Sequence, residues 1–324
     1  MSIIKDLVSV VIPCYNNAPF LRKCTESVLS QTYTNIEVII IDDGSTDNPE
    51  CELVGLNDKR LKEIEKISHS GVSTARNIGI ERSSGEYLIF IDGDDWIEPN
   101  HIETLMKDRE DYDSSMIMMS VDTPSEQSVS SETLKLFSEN SHINASHFYK
   151  LYEAFLLSSP CNKLYRNEII QTEYCRFDPN ISYGEDLIFN LKYFTFVKNI
   201  SLHSEITYHY VKHNLEHGST RFHKYTVYTL ERITEASKGL FKELKNSSLR
   251  ILMRYYIWGI INLFHKSSDL TYSQRRASIS MILSIPEFKI ALQEIHNLGI
   301  SYRFRMVLRS MNSQLISLSM KLMK

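Results

Sequence analysis

Three short, continuous apolar runs constrain this chain more than any other feature: LVSVVIP (7–13), IEVIIID (36–42) and EYLIFID (86–92). Runs of this kind, rich in β-branched residues and without polar alternation, predict strands covered on both faces. Helical spacing lies between them. APFLRKCTESVLSQ (18–31) sets Phe20, Leu21, Cys24, Val28 and Leu29 on one face, and GVSTARNIGIERSSG (71–85) reads as a helix closed by Gly85. Strands alternating with helices predict a layered α/β fold around a mostly parallel sheet. Ligands of such sheets bind beyond the carboxyl ends of the strands. The sequence puts Pro13-Cys14-Tyr15-Asn16, Asp42-Asp43-Gly44-Ser45 and Asp92-Gly93-Asp94-Asp95 there.

Three acids within four positions at a strand end repel one another, and burying them unpaired is costly. A divalent cation resolves this, because hard cations prefer oxygen ligands. Asp92 and Asp94 flank one glycine and can share an ion; Gly93 permits close approach of backbone or ligand. Magnesium or manganese held by few carboxylates completes its shell with water and substrate phosphate, so a nucleoside diphosphate is the expected partner. The chain has neither GxxxxGK[ST] nor GxGxxG. Phosphate would therefore meet the metal and a basic side chain, with Arg76 as a candidate. Each feature also has an ordinary reading. Asp-Gly is common turn chemistry, Ser45, Thr46 or Asp47 can cap a helix, and Arg76 can form a surface ion pair. Glu185-Asp186 can be a first-turn acid pair favoured by the helix dipole. These readings weaken when the groups share one edge of one sheet.

The remaining sequence sets the surroundings. With 324 residues, 42% apolar and 23% charged, the chain has material for a core. A net charge of -4 argues against a nucleic-acid partner. Five scattered cysteines with no CxxC pair predict a reducing, cytoplasmic setting. The N-terminus lacks the apolar core of a signal peptide, and the apolar stretch 251–264 contains Arg254 and is too short to span a bilayer. Ser-rich 120–146 reads as loop, 147–158 as helical, and ISYGEDLIFNLKYF (181–194) opens a helix at Glu185-Asp186. Beyond about residue 220 the chain turns helical throughout, which predicts a catalytic domain over 1–220 and a helical one over 221–324. From His296 onward there is no acid, and Arg303, Arg305, Arg309, Lys321 and Lys324 accompany helically spaced apolar residues. Such a helix fits an anionic membrane surface, packing within the helical module, or a contact between subunits of a homo-oligomer.

VSVVIPCYNN, IDDGSTDN, GVSTARNIGI, GEYLIFIDGDDWIEP, CNKLYRNEII and YGEDLIFN occur in that order, spanning roughly residues 7–220. Together they resemble the GT-A fold, inverting glycosyltransferases of family 2, of the bacterial surface-glycan and adhesin-glycan kind. The resemblance implies transfer of a hexose (glucose, galactose or an N-acetylated form) from a UDP-sugar. The acceptor would be a hydroxyl of a cell-surface polysaccharide or glycoprotein glycan, lipid-linked or protein-linked, and the cofactor Mn2+ or Mg2+. It implies that Asp43 hydrogen-bonds the uracil, that Pro13 and Tyr15 line the base, and that Arg76 approaches the diphosphate. Asp92 and Asp94 match the DxD motif, Asp94 being nearest the metal; Asp95 borders the sugar and Asp186 is the general base. A base beside a metal-bound pyrophosphate requires no raised pKa. Weaker candidates are His217 as a third metal ligand, Ser219 or Arg221 on phosphate, Trp96 stacked on a sugar, Lys163 paired with an acid of the site or of the surface, and Glu185. Two other classes stay open: a sugar nucleotidyltransferase, against which PCYNN replaces the expected Gly-rich loop, and a non-catalytic nucleotide-sugar-binding module, against which Asp92, Asp94 and Asp186 are all present.

Overall fold

The computed structural model describes residues 3–154, 156–213, 222–240 and 246–293, with single residues and short stretches of the tail at 306, 308, 310, 312–314, 316 and 320. The chain forms two compact units, one of residues 1–179 and 185–214, the other of 180–184 and 215–324.

In the first unit the elements run β1 (Ile4–Cys14), α1 (Ala18–Leu29), β2 (Ile36–Asp42), β3 (Glu65–Lys66), α2 (Val72–Arg82), β4 (Gly85–Phe90), β5 (Trp96–Ile97), α3 (His101–Met106), β6 (Ser114–Asp122), β7 (Gln127–Ser128), α4 (Ser131–Glu139), β8 (His142–Asn144), α5 (Tyr149–Glu153), β9 (Lys163–Arg166), α6 (Asn167–Thr172), α7 (Glu185–Phe194) and β10 (Asn199–Val211). The strands join in the order β3-β2-β1-β4-β9-β6-β10-β5, with β7 on β6 and β8 on β10. The three apolar runs are β1, β2 and β4. All seven residues of β2 are buried, as the unbroken run predicts. β1 lies parallel between β2 and β4, so their carboxyl ends share one edge; Cys14 aligns with Asp42, and Val11 with Phe90. The rest of the sheet is mixed: β9 is antiparallel to β4 and β6, while β10 is parallel to β6 and antiparallel to β5.

α2 lies against β1 and β2. Its close approach depends on Gly79, where an added Cβ would sit 2.2 Å from Val11 Cγ1. Below the strand ends, Phe90, Phe177 and Phe189 form an aromatic layer, with Phe177 and Phe189 stacked at 4.0 Å and 6°. The stretch 120–146, expected as loop, instead contains the end of β6, then β7, α4 and β8. α4 is stabilised locally, since Ser130 Oγ accepts from the Thr133 amide, and it buries Leu136 and Phe137.

The second unit is helical in its described part: α8 (Thr226–Leu240), α9 (Asn246–Asn262), α10 (Tyr272–Ser284) and α11 (Pro286–Ala291). α9 packs on α8 and α11 around Ile233, Leu252, Met253, Tyr256, Ile260 and Phe288, all fully buried. A reciprocal cap starts α10, with Gln274 Oε1 accepting from the Thr271 amide and Thr271 Oγ1 from the Gln274 amide. The segment 180–184 belongs to this unit: Tyr183 stacks on Trp258 at 4.3 Å, and Ser182 Oγ lies 2.9 Å from His223 Nδ1. Among the described residues no helix is long and apolar enough to cross a membrane.

Candidate active site at the carboxyl edge of the sheet

β4 runs out into the turn Asp92–Asp95, closed by the Asp95 amide donating to Asp92 O at 2.9 Å. The turn presses on β1: the Gly93 amide donates to Pro13 O at 3.3 Å, and a Cβ on Gly93 would lie 2.7 Å from Asn17 Nδ2. Glycine is required here by the close approach of the Asn17 side chain and of the end of β1, where Pro13 O would lie 3.1 Å from that Cβ. Asp92 and Asp94 keep 31% and 37% of their side chains exposed.

Arg76, on the second turn of α2, joins this turn to a distant segment. Its Nη2 donates to Asp92 Oδ1 at 2.8 Å and its Nη1 to Asp186 Oδ1, on the first turn of α7, at 2.6 Å. The guanidinium is almost wholly buried and stands 5.3 Å from the centre of the Phe177 ring. Burial works against its charge, but Asp186 and Asp92 outweigh burial and hold it firmly protonated. Burial pushes Asp186 up to about 8; Arg76 opposes this, Glu185 and Asp92 add to it, and Lys163 pulls downward. Glu185 is raised as well, by burial first, with Arg76 opposing.

At the end of β2, Asp43 accepts from the amides of Ser70 (2.7 Å) and Gly71 (2.8 Å), just ahead of α2. His69 Nδ1 lies 3.0 Å from Asp43 Oδ2, and its ring stacks on Tyr15 at 4.1 Å and 17°. Both rings are substantially exposed, so the two strand ends offer an aromatic surface beside a carboxylate. Pro13 is buried in β1 and contributes its carbonyl to the acidic turn.

Three expectations change. Asp95 was read as bordering the sugar, yet it is 2% exposed, and its oxygens accept from Tyr208 Oη (2.6 Å) and the Val211 amide (2.9 Å) of β10. Burial, reinforced by Asp92 and Asp94, holds its carboxyl well above the usual range. Trp96 was read as a sugar platform; His209 stacks on it at 3.7 Å and 2°, and the Lys23 ammonium lies 4.2 Å over the ring, so both faces are taken. Among the described residues Lys163 forms no ion pair with a carboxylate, although its charge still lowers Asp186 from a distance. It is wholly buried and donates to Ser159 O (2.5 Å) and Asn162 Oδ1 (2.7 Å), and burial brings its pKa down to about 7. Glu185 sits next to Asp186 on the first turn of α7, where its charge adds to the rise of Asp186, and the hydrogen bonds of Arg76 go to Asp92 and Asp186. His217, Ser219 and Arg221 lie outside the described residues.

Sequence reasoning missed His69, Tyr208, Tyr210 and His213. Burial first, then Asp95, Asp92 and Asp94, pushes Tyr210 up to about 12, which sets its hydroxyl in the field of the acidic turn. His213 stacks on Phe20 at 3.9 Å, with Nε2 3.8 Å from Asp94 Oδ2. For Tyr208 and Tyr210 the signal was ITYHYV (206–211), an alternating strand pattern; His69 and His213 lie outside it.

Among the described residues no three His, Cys, Asp or Glu side chains converge on a metal-sized point. Two part-exposed carboxylates with one Asp92 oxygen committed to Arg76 make an incomplete oxygen set. That set fits magnesium or manganese, which keep waters and take phosphate oxygens, better than a metal needing a full protein cage.

Solved structures and curated proteins share this architecture. TarS 1–349 of S. aureus, crystallised with UDP-GlcNAc, superposes with a TM-score of 0.69 over 97% of this chain and 90% of that one, at 18% identity, so the likeness is one of fold, the GT-A fold. Glycosyltransferase GlyA of Streptococcus pneumoniae is 34% identical over 222 residues, which is 64% of this chain and 31% of GlyA. Glycosyltransferase GlyG of the same organism is 39% identical over 115 residues, 35% of this chain and 38% of GlyG. The matched parts thus span about a third of those relatives' lengths. The model of glycosyl transferase family 2 matches residues 9–173, which hold all three strand ends, the acidic turn and Arg76 and make up just over half of the chain: the protein belongs to that family.

Proposed function

We propose that the protein is a metal-dependent, inverting glycosyltransferase moving a hexose (glucose, galactose or an N-acetylated form) from a UDP-sugar to a hydroxyl of a growing surface polysaccharide or glycoprotein glycan. The observation that carries this reading is the Arg76 bridge, which draws the acidic turn of β4 and the carboxylate of α7 to one point. TarS has been crystallised with UDP-GlcNAc and with UDP, which supports a uridine diphosphate donor.

Tyr15, His69 and Asp43 receive the base, with Pro13 behind them. Asp92 and Asp94 would hold Mn2+ or Mg2+, whose charge would stabilise the departing diphosphate. Arg76 adds a fixed cation close by and keeps Asp92 and Asp186 in register. Asp186 takes the proton of the acceptor hydroxyl as that oxygen attacks the anomeric carbon from the face opposite the diphosphate. The new C–O bond forms as the bond to the phosphate oxygen breaks, so the anomeric configuration inverts and UDP leaves. The helical second unit is assigned to acceptor, membrane-surface or subunit contact, and the unpaired, scattered cysteines support a cytoplasmic setting.

UDP release from a panel of UDP-sugars with manganese tests the assignment. Asp94→Ala and Asp186→Asn are each expected to slow release by about a hundredfold or more. If both variants release UDP as fast as wild type, these residues do not form the active site.

A further inference from the structure

Tyr208 is wholly buried in the interior of β10, yet its hydroxyl engages the acidic turn twice. It donates to Asp95 Oδ2 at 2.6 Å and accepts from the Asp92 amide at 3.3 Å. The second Asp95 oxygen accepts from the Val211 amide, three residues further along the same strand. Asp95 N–H to Asp92 O then closes the turn on itself. β5, which follows the turn directly, pairs with β10 at Tyr208↔Ile97 and His209↔Trp96. The turn is thus tied to β1 on one side through Pro13 O and to β10 on the other through Tyr208 and Val211. Between these ties, Asp92 and Asp94 are the members left part-exposed.

We infer that Tyr208 and Asp95 are positioning residues which fix the Asp92–Asp95 turn so that Asp92 and Asp94 present their oxygens together to a divalent cation. The inference rests on the donor-site reading above. Two carboxylates share an ion only when the backbone between them holds one conformation, and a turn with two solvent-facing acids would otherwise splay by repulsion. The buried phenol acts on both flanks of the pair: it accepts the amide of Asp92 and anchors the residue after Asp94. Removing it leaves the Asp92 N–H and the Asp95 carboxylate without those partners.

The test uses the full chain. Mn2+ affinity is titrated in the presence of UDP for wild type, Tyr208→Phe and Asp95→Asn, with uridine binding in EDTA as a control that needs no cation and thermal unfolding to verify folding. The expected result is Mn2+ binding weakened about tenfold or more in a folded variant, as for loss of an outer-shell partner, with uridine binding unchanged and UDP release recovering at high Mn2+. Wild-type cation affinity in a folded variant overturns the inference. So does loss of folding in both variants, because the pair would then hold the fold with no separable effect on the cation. If wild type itself binds UDP without any dependence on Mn2+, the donor-site reading fails instead, and the two failures are told apart by that first titration.

Discussion

Arg76 holds a carboxylate at each end of its guanidinium, and this arrangement sets the behaviour of the reacting groups. A buried cation shared by Asp92 and Asp186 couples the expected metal loop to the expected base. Burial still dominates at Asp186 and takes it up to about 8. An acid is protonated below its pKa, and a protonated Asp186 cannot accept a proton from the acceptor. Asp92 is one of the charges that raise Asp186, so a cation bound there relieves part of the rise: in metal-saturated enzyme, kcat/KM should climb by about tenfold per pH unit on the acid side and level off below about 8. A profile flat through that region would show that another group takes the proton. The roles of single residues were unevenly legible. Asp92 and Asp186 stood out because one follows the carboxyl end of an apolar strand and the other opens a helix. Asp95 and Trp96 did not, because sequence gives a residue's position on a turn but not which neighbour covers it; β10, more than a hundred residues away, covers both.

At the scale of elements, α2 carries Arg76, so the site is only as well placed as α2 on the sheet. Gly79 sets that distance. Gly79→Ala would drive a methyl to 2.2 Å from Val11 Cγ1, and neither the helix nor the central strand can give way cheaply. The expected cost is about 1–3 kcal/mol of stability, as for other overpacked cores, with a loss of UDP release larger than the loss of fold, because Arg76 moves with its helix. Denaturant unfolding together with a rate assay checks this; unchanged stability and rate would mean that α2 is not held where the structure has it. β1, β2 and β4 were readable because strands covered on both faces must be continuously apolar. β6, β9 and β10 were not. SSMIMMSVD and NISLHSEITYHYV mix Ser, Met and His into buried strands, and some of those polar groups find partners distant in sequence, such as Ser114 with Leu164 O and His209 with Asp122. Likewise Ser-rich 120–146 looked structureless because the Ser130 cap and two apolar residues suffice for so short a helix.

Across the whole molecule, the candidate site lies in the unit of residues 1–179 and 185–214, and the described part of the remainder is mostly helical. The three strand ends, the stacked rings of Tyr15 and His69 and the acid on α7 come from five separated segments, and their convergence supports the proposed donor site over an ordinary set of capped turns. The central claim is that Asp92 and Asp94 take a divalent cation which in turn takes the diphosphate. Calorimetric titration of UDP into wild type and Asp94→Ala, each in Mn2+ and in EDTA, tests it most directly. The account predicts that Mn2+ tightens UDP binding at least about tenfold in wild type and makes little difference in Asp94→Ala; equal affinity in Mn2+ and EDTA for wild type, or full Mn2+ dependence in the variant, would contradict it.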